Sequence, residues 1–342
     1  MKYLDSNDDL NIAIEYIKSG KTVIFPTETV YGIGANALDR NAVDKIFKIK
    51  GRPQDNPLIV HISNIDMLKE LVTEVNEIEK KLIDRFWPGP LTIIFPKNEI
   101  IPNNVTCNLD TVGIRMPSNE IARNFITKCE CPIAAPSANK SGKPSGTFID
   151  DILDEFMEED VIVIDGGESE IGLESTVIKV TEGTIEILRP GYITYDELSK
   201  IAPTIMNKNV TEKPKQDEKV ESPGMKFRHY APNVKCVLVV GEKQDIEKKM
   251  LNEIQEKIEE NKDIKIEVLY KYNLPNLKLE KENIKYICMG KDDEEISKKI
   301  YHLLRDIDKR KPDIVYIESV EKKGLGIAIY NRLIRACEYN II

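Results

Sequence analysis

The sequence has few of the side chains that most often bind transition metals. It contains three histidines and six cysteines in 342 residues. The closest cysteines are Cys129 and Cys131, and no C-x-x-C pair occurs beside a pair of histidines. Structural zinc sites usually need such pairs at fixed spacing, so the sequence argues against a zinc centre. The protease motif H-E-x-x-H and the phosphate-binding loop G-x-x-x-x-G-K-[ST] are also missing.

Long apolar runs and a basic surplus are missing as well. No apolar run approaches the ~20 residues that span a bilayer. The polar N-terminal stretch MKYLDSNDDLN does not resemble a signal peptide. The formal net charge of −9 argues against a protein that chiefly coats nucleic acid, and against direct tRNA binding. We therefore expect a soluble, cytoplasmic protein with reduced cysteines.

Apolar segments rich in Val, Ile and Thr alternate with helical periodicity over the first 200 residues. The predicted strands are 22–25, 58–62, 91–95, 111–116, 131–135, 161–165, 175–180 and 184–188. The predicted helices are 8–18, 40–49, 64–86, 119–128 and 149–157. Because some strands follow one another without a helix, the pattern predicts an α/β domain with a mixed sheet.

The composition changes after Ile201, where few apolar residues and several Pro, Lys and Glu indicate a linker. The predicted division is a catalytic domain over 1–204, a linker over 205–233 and a small domain over 234–342. In the last part, strands at 235–241, 264–270, 284–290 and 313–319 alternate with helices at 244–261, 292–310 and 327–339. This alternation predicts a small Rossmann-like domain with a parallel sheet. The G-x-G at 324–326 lacks the third glycine of a dinucleotide site, which favours core packing there.

The stretch KIKGRPQDNPLIVHI, residues 48–62, concentrates cations and turn residues. Lys50 and Arg52 flank a glycine at the end of a predicted helix, and two prolines stiffen the path into the next strand. Cations at this position suit an anionic ligand, but they equally suit capping of the helix C-terminus. Asn56 and His61 follow in the same stretch, and a lone histidine in a strand is most often an ordinary core residue.

The stretch FPTETVYGIGANA, residues 25–37, places hydroxyl groups directly after a predicted strand. If the segment is extended, Thr27, Thr29 and Tyr31 share one face. Gly32 and Gly34 then permit a tight turn. An ordinary strand exit with a threonine-rich edge explains the pattern equally well.

Arg115 lies in the apolar strand TVGIRM. A buried guanidinium must be paired or must face a cavity, and a ligand carboxylate would satisfy it with two hydrogen bonds. A second strand, PIAA, ends in a loop of small hydroxyl residues and glycines that can form an anion-binding nest, although a surface loop would have the same composition. The loop's polar residues are Ser137, Asn139, Ser141 and Ser145.

Weaker signals come from Ser175 and Thr176 in ESTVIKV and from Arg189 in ILRPG. No Ser-His-Asp order and no pair of catalytic carboxylates is apparent. What accumulates is a set of cations, namely Lys50, Arg52 and Arg189, among Ser, Thr and Asn donors. This set suits phosphate binding and phosphoryl or nucleotidyl transfer, where positioning and charge neutralisation lower the barrier.

Together these segments resemble the threonylcarbamoyladenylate synthase family in its two-domain form. The resemblance is carried, in order, by FPTETVYGIGANA, KGRPQDNPLIVHI, FWPGPLTIIF, TVGIRMP, APSANKSGKPSGT, ESTVIKV, ILRPG, SPGMKFRHYAP and GLGIAIYNRL. It implies an N-terminal YrdC-like domain with a twisted mixed sheet flanked by helices, a linker, and the small Rossmann-like domain.

The resemblance also implies an activity. The enzyme would be a nucleotidyltransferase that makes threonylcarbamoyl-AMP from L-threonine, bicarbonate or CO2, and ATP, releasing pyrophosphate. Mg2+ would act together with ATP. A separate transferase would then move the threonylcarbamoyl group to an adenosine beside the tRNA anticodon.

By position in the motifs, the resemblance implies two groups of binding residues. The ATP group, in which Lys50 and Arg52 would also be catalytic, comprises Lys50, Arg52, Asn56, Thr111, Ser137, Asn139, Ser145, Arg189 and Tyr230. The threonine group comprises Thr29, Tyr31, His61, Arg115, Ala135 and Ser175, with Arg115 taking the carboxylate. Arg228, His229 and Tyr230 resemble a lid. The sequence assigns no metal ligand.

Two other functions compete with this interpretation. A carbamoyltransferase of hydrogenase maturation shares the YrdC-like fold, but such enzymes carry zinc fingers, and this chain has no C-x-x-C series. An RNA-binding module without catalysis requires a basic, salt-sensitive surface, which the negative net charge disfavours.

Overall fold

The computed structural model describes residues 1–5, 9–210 and 230–342. The described residues form two compact units. The first contains 1–5, 9–141 and 145–210, and the second contains 142–144 and 230–342. The three-part division predicted from the sequence differs from these units at 142–144, which group with the second unit, and near the linker, much of which lies outside the described residues. The linker boundaries therefore stay a prediction.

The first unit is an α/β domain built on one large sheet. Its strands are β1 (Lys2–Leu4), β2 (Thr22–Phe25), β3 (Gly32–Asn36), β4 (Ile59–His61), β5 (Leu91–Pro96), β6 (Thr111–Arg115), β7 (Ile133–Ala134), β8 (Val161–Ile164), β9 (Thr176–Thr181), β10 (Thr184–Arg189) and β11 (Thr204–Met206). Its helices are α1 (Asn11–Lys18), α2 (Arg40–Lys50), α3 (Ile65–Leu71), α4 (Glu77–Phe86), α5 (Asn103–Thr106), α6 (Glu120–Cys129), α7 (Ile149–Phe156) and α8 (Tyr195–Leu198), followed by a 3-10 turn at Lys208–Val210.

The strand order across this sheet is β1-β8-β2-β3-β7-β4-β6-β5-β9-β10-β11. Neighbours pair in both directions, for example β4 with β6 in parallel and β4 with β7 antiparallel. The predicted mixed α/β fold is therefore confirmed. Apolar side chains from the strands and the flanking helices form the core, and β2, β6 and β8 are almost fully buried. That burial explains why these strands read as continuous apolar runs in the sequence.

Two local predictions were wrong. The predicted helix 64–86 is two helices, because the Asn76 side chain accepts hydrogen bonds from Ile78 N and Glu79 N and so begins α4 anew. The predicted turn at Gly32 and Gly34 is strand β3. A Cβ on Gly34 would lie 2.5 Å from Ile133 Cγ2, so this glycine serves close packing of neighbouring strands.

The second unit is a smaller parallel α/β domain. Its strands are β12 (Cys236–Val239), β13 (Ile266–Tyr270), β14 (Ile284–Cys288) and β15 (Ile314–Glu318), in the order β12-β15-β13-β14. Its helices are α9 (Lys243–Glu260), α10 (Asp293–Arg310) and α11 (Gly326–Ala336). All of its strand pairs are parallel, as predicted. The Gly-rich turn leads into α11, whose residues are all buried except the partly exposed Ile327.

Candidate active site

Lys50 is the last residue of α2, and its side chain is held inside the first unit. The apolar face of α2 packs into the core, and the helix ends at Gly51 in the left-handed conformation. The Lys50 ammonium donates to Ser137 O at 2.6 Å and to Asn139 O at 2.5 Å. These carbonyls belong to the loop after β7, so Lys50 joins two segments far apart in sequence. Capping of its own helix does not account for its position.

The loop after β7 is tied down on both sides. Ser137 Oγ donates to Asn139 Oδ1 at 2.6 Å, and Ser141 N donates to Lys50 O at 2.9 Å. On the other side, Ala138 N donates to Tyr31 O at 2.7 Å. The structure thus brings together three residues of the predicted ATP group, namely Lys50, Ser137 and Asn139.

Arg52, the other residue predicted to be catalytic, organises the turn that leads into β4. Its Nη2 donates to Asn56 O at 2.9 Å and to Pro57 O at 3.3 Å. Asn56 itself is buried at the start of that strand. The cation, the turn and Asn56 therefore form one folded element, as the prolines in the sequence indicated.

Arg115, at the end of β6, is buried with all three of its guanidinium nitrogens in contact with protein atoms. Nη1 donates to Thr29 Oγ1 at 2.8 Å, and Nε donates to Gly89 O at 3.3 Å. Nη2 lies 2.7 Å from Glu28 Oε1. The sequence predicted that this arginine must be paired, but it did not identify Glu28 as the partner. The one available signal was a single carboxylate set among the hydroxyl and apolar residues of FPTETVYG.

His61 lies beside Arg115, because β4 and β6 pair in parallel with His61 opposite Arg115. Burial, reinforced by the positive charge of Arg115, lowers the pKa of His61 to about 3. The imidazole is therefore neutral at physiological pH. Its Nδ1 has no hydrogen-bond partner among the described residues, which leaves a buried polar atom that a ligand could satisfy.

The hydroxyl groups of the stretch 25–37 are expected from the sequence to share one face if that segment is extended, but the segment is not extended at these residues. Residues 26–31 form a loop in which Thr27 Oγ1 lies 2.8 Å from Thr29 Oγ1 and donates to Val30 O. Tyr31 turns away, donating from its hydroxyl to Gly167 O at 2.8 Å and accepting from Gly166 N at 3.0 Å. Thr29 therefore belongs with Arg115, whereas the Tyr31 hydroxyl is bonded to the backbone of Gly166 and Gly167.

Ser175 and Arg189, expected in different groups, are in direct contact. Arg189 Nη2 donates to Ser175 Oγ and to Ser175 O, both at 3.0 Å, and Ser175 Oγ lies 2.7 Å from Thr92 Oγ1. Glu174, which precedes Ser175 in the sequence, accepts a hydrogen bond at Oε1 from Ser145 Oγ at 2.6 Å, and both side chains are buried. Thr92 and Glu174 carried no signal in the sequence that separated them from core residues.

The strand register separates the site residues into two ends. His61 and Arg115 lie together at the C-terminal ends of β4 and β6. Thr111 begins β6, four residues earlier, which corresponds to about 13 Å along a strand. Asn56 precedes β4 on the same side as Thr111. The residues assigned to nucleotide and to threonine on these two strands therefore lie at opposite strand ends.

Three further site predictions have different outcomes. Ala135 is buried, and its N–H donates to Ile59 O at 2.9 Å, which places it beside β4. Tyr230 belongs to the second unit, where its ring packs on Tyr301 with centroids 5.1 Å apart. The other two lid residues, Arg228 and His229, lie outside the described residues.

The described part of the chain shows neither a metal-binding cluster nor a membrane-spanning helix. Among the described residues, no group of three or more His, Cys, Asp or Glu side chains is placed to hold a metal ion. In residues 1–5, 9–210 and 230–342, none of the helices combines the length and the apolar character needed to cross a membrane.

Comparisons with known proteins cover nearly the whole chain. The family model Sua5_yciO_yrdC, described as telomere recombination, matches residues 15–191. The model described as threonylcarbamoyl-AMP synthase, C-terminal domain, matches residues 193–337. A threonylcarbamoyl-AMP synthase from Pyrococcus abyssi is 43% identical over 97% of this chain and 95% of its own length. The Bacillus subtilis threonylcarbamoyl-AMP synthase is 37% identical over 99% of this chain and 98% of its own.

A solved structure agrees with these matches. The crystal structure of P. abyssi Sua5 complexed with L-threonine superposes with a TM-score of 0.90 at 41% identity, covering 100% of this chain and 98% of that chain. The fold and the site thus define a two-domain α/β protein whose first domain is YrdC-like, with a buried lysine bonded to the loop after β7 and a buried arginine. The chain belongs to the threonylcarbamoyl-AMP synthase family.

Proposed function

We propose that this protein is an L-threonylcarbamoyladenylate synthase, which condenses L-threonine, bicarbonate or CO2, and ATP into threonylcarbamoyl-AMP and pyrophosphate. The observation that carries the proposal is the meeting of the motif residues in one unit. Lys50 holds the loop of Ser137 and Asn139, while Arg115, Thr29 and His61 meet at neighbouring strand ends. The full-length similarity to proteins of this name supports the same function.

The threonine subsite is proposed around Arg115. Its guanidinium is fixed by protein contacts and takes the substrate carboxylate, the ligand that Arg recognises with two parallel hydrogen bonds. His61 offers a neutral nitrogen, and Thr29 offers a hydroxyl on the same guanidinium. Ala135 and Ser175 complete the subsite, and Tyr31 supports it by holding the loop after β7. The relative solved with L-threonine supports threonine as the amino acid.

The nucleotide subsite is proposed around the loop after β7. Lys50 and Arg52 neutralise the phosphates, and Ser137 and Asn139 supply hydrogen bonds at the same loop. Mg2+ enters as part of the MgATP substrate, because this ion prefers phosphate oxygens and water to all-protein cages. Further ATP contacts are assigned to Asn56, Thr111, Ser145, Arg189 and Tyr230.

The chemistry follows from these two subsites. The neutral amine of threonine attacks CO2, which forms an N–C bond and releases one proton, giving a carbamate. A carbamate oxygen then attacks the α-phosphorus in line, and the bond to pyrophosphate breaks. Lys50 and Arg52 stabilise the charge that develops on the phosphates, so this is nucleotidyl transfer. The low pKa of His61 makes it a hydrogen-bonding group rather than the proton acceptor.

The carbamate hydrolyses readily in water, which gives closure of the site a purpose. We assign that role to Arg228, His229 and Tyr230 of the linker. The threonylcarbamoyl-AMP produced is passed to a separate transferase that modifies tRNA.

The proposal is tested by pyrophosphate release with each substrate omitted in turn. Release is expected only when threonine, bicarbonate and ATP are all present. Lys50→Ala should lower turnover at least a hundredfold, since it removes a fixed charge from the transition state. Lys48→Ala, two residues earlier on the exposed face of α2, is the matched control and should retain normal turnover. Normal turnover in Lys50→Ala would refute the phosphate assignment.

A further inference from the structure

A buried carboxylate, Glu28, lies against Arg115 and has no role in the site described so far. Glu28 Oε1 is 2.7 Å from Arg115 Nη2, and the two side chains are 2% and 4% exposed. The loop that carries Glu28 is itself held, because Ile171 N donates to Glu28 O at 2.8 Å. The backbone N–H groups of Ser118 and Glu28 also stabilise the carboxylate, but each lowers its pKa less than Arg115 does. The contact with Arg115 is therefore the principal interaction of this carboxylate.

The guanidinium of Arg115 is only partly used by the protein. Arginine has five N–H groups. One is donated to Gly89 O, one to Thr29 Oγ1, and one faces Glu28. Two N–H groups thus remain without a partner among the described residues, and a substrate carboxylate can accept two hydrogen bonds. Glu28, Thr29 and Gly89 hold all three nitrogens, so the direction of the remaining N–H groups is fixed.

The charge of the pair matters as much as its geometry. Burial alone would raise the pKa of the Glu28 carboxyl, but the charge and hydrogen bonding of Arg115, together with backbone hydrogen bonds from Ser118 and Glu28, bring it below its ordinary value, so Glu28 is ionised. The pair is therefore neutral before substrate arrives. A substrate carboxylate that binds Arg115 meets a guanidinium whose charge is already balanced by a second carboxylate on another nitrogen.

We propose that Glu28 is a positioning residue of the threonine subsite: as the resident counter-ion of Arg115 it orients the guanidinium and limits how strongly the site attracts the substrate carboxylate. The inference rests on the proposed function, because it takes Arg115 to be the group that binds the carboxylate of threonine. Glu28 is assigned no contact with the substrate, because its carboxylate is buried against the guanidinium. It acts through Arg115.

The consequence is a measurable change in ligand preference. Glu28→Gln keeps the size of the side chain and one oxygen but removes the negative charge. The Glu28 carboxylate and a substrate carboxylate about 5 Å away repel each other strongly at an effective dielectric near 20. The loss of the Glu28 charge should therefore strengthen the binding of a carboxylate ligand by roughly tenfold or more. Threoninamide keeps the side chain and the amine of threonine and lacks the carboxylate. The ratio of its Kd to the Kd of threonine should therefore rise at least tenfold in Glu28→Gln.

The experiment is isothermal titration of the full chain with threonine and with threoninamide. Glu28→Asp keeps the charge but cannot reach as close to Nη2, so its ratio should rise about two- to threefold. It remains a test even if Glu28→Gln does not fold. Glu79→Gln is the matched control, because Glu79 is also a buried carboxylate, yet its partner is the backbone N–H of Asn76. Its ratio should equal that of the wild type.

The outcomes separate this inference from the proposed function. If the wild type binds threonine in preference to threoninamide but neither Glu28 variant changes the ratio, the role of Glu28 is refuted and the threonine subsite stands. A purely structural role would weaken both ligands in parallel, which is the same refuting result. If the wild type shows no preference for threonine, the assignment of Arg115 to the carboxylate fails, and this inference fails with it.

Discussion

Removal of Arg115 should destabilise the first unit chiefly by stranding Glu28, and removal of both residues should restore most of the loss. Arg115→Met leaves an ionised carboxylate buried at 2% exposure. Breaking a buried ion pair by deleting one partner costs about 3–5 kcal/mol, whereas replacing both partners by uncharged groups is often close to neutral. We therefore expect Arg115→Met to lower the free energy of unfolding by about 3–5 kcal/mol. The double variant Arg115→Met/Glu28→Gln should be clearly more stable than Arg115→Met.

The chain offers a built-in probe for this measurement. Trp87 is the only tryptophan in the sequence, and it is buried in the first unit, where its Nε1 donates to Leu91 O at 2.7 Å. Its fluorescence during urea unfolding reports on this unit separately from the second. If the loss of unfolding free energy in the double variant equals the sum of the losses in the two single variants, Glu28 and Arg115 do not stabilise each other and the reasoning is wrong.

The pH dependence of the unfolding free energy provides an independent test of the Glu28–Arg115 pair. In the wild type the pKa of Glu28 is lowered from its ordinary value of 4.5, so its contribution to stability is present above that value and is lost as the pH falls through the folded-state pKa. In Arg115→Met the lowering by Arg115 is lost while burial, the largest influence on this carboxyl, still raises the folded-state pKa, so the destabilisation should grow from pH 5 to pH 8. A loss that is constant over this range would contradict the account.

Two further predictions concern buried polar groups. Because the pKa of His61 is lowered to about 3 in the folded state, the wild type should lose about 2 kcal/mol of stability between pH 7 and pH 5. His61→Gln should not show this loss, and identical pH profiles of urea unfolding for the two proteins would refute the prediction. Ser145→Ala should lower the free energy of unfolding by about 1–3 kcal/mol, because it leaves the buried Glu174 carboxylate without the 2.6 Å hydrogen bond, and Ser141→Ala in the same loop should change it much less.

Strand positions in the first unit were largely predictable, because strands buried on both faces contain runs of Val and Ile that no neighbouring loop resembles. The helix predicted over 64–86 was wrong, although its apolar spacing is helical on both sides of the break. Asn76 and Glu79 form a capping box there. Whether the segment forms one helix or two depends on whether this capping box stabilises the chain more than a continued helix would.

Gly32 and Gly34 show a different limit of sequence reasoning. Glycine is compatible with a turn and with close packing of strands, and the choice depends on what lies opposite. Phe25 and Ile133 lie against Gly34, but these residues are distant in sequence and are brought there by the sheet. The turn expected from the glycines is consequently a strand.

The candidate site could be predicted in part for a similar reason. Lys50 stood out as a cation beside a glycine at a helix end, and Ser137 and Asn139 stood out as polar residues of a loop that follows an apolar strand. The structure brings the three into contact. The requirement that Arg115 be paired followed from the cost of a buried charge, but its partner could not be named. Glu28 has an ordinary sequence environment, and only the fold of the loop at 26–31 places its carboxylate on Nη2.

The most direct test of the central claim is to follow 13C-labelled bicarbonate into the product by mass spectrometry, with unlabelled threonine and ATP. The account predicts threonylcarbamoyl-AMP one mass unit heavier than the unlabelled compound, formed together with an equal amount of pyrophosphate. Pyrophosphate release that continues without threonine or bicarbonate, or an adenylate that carries no label, would contradict it.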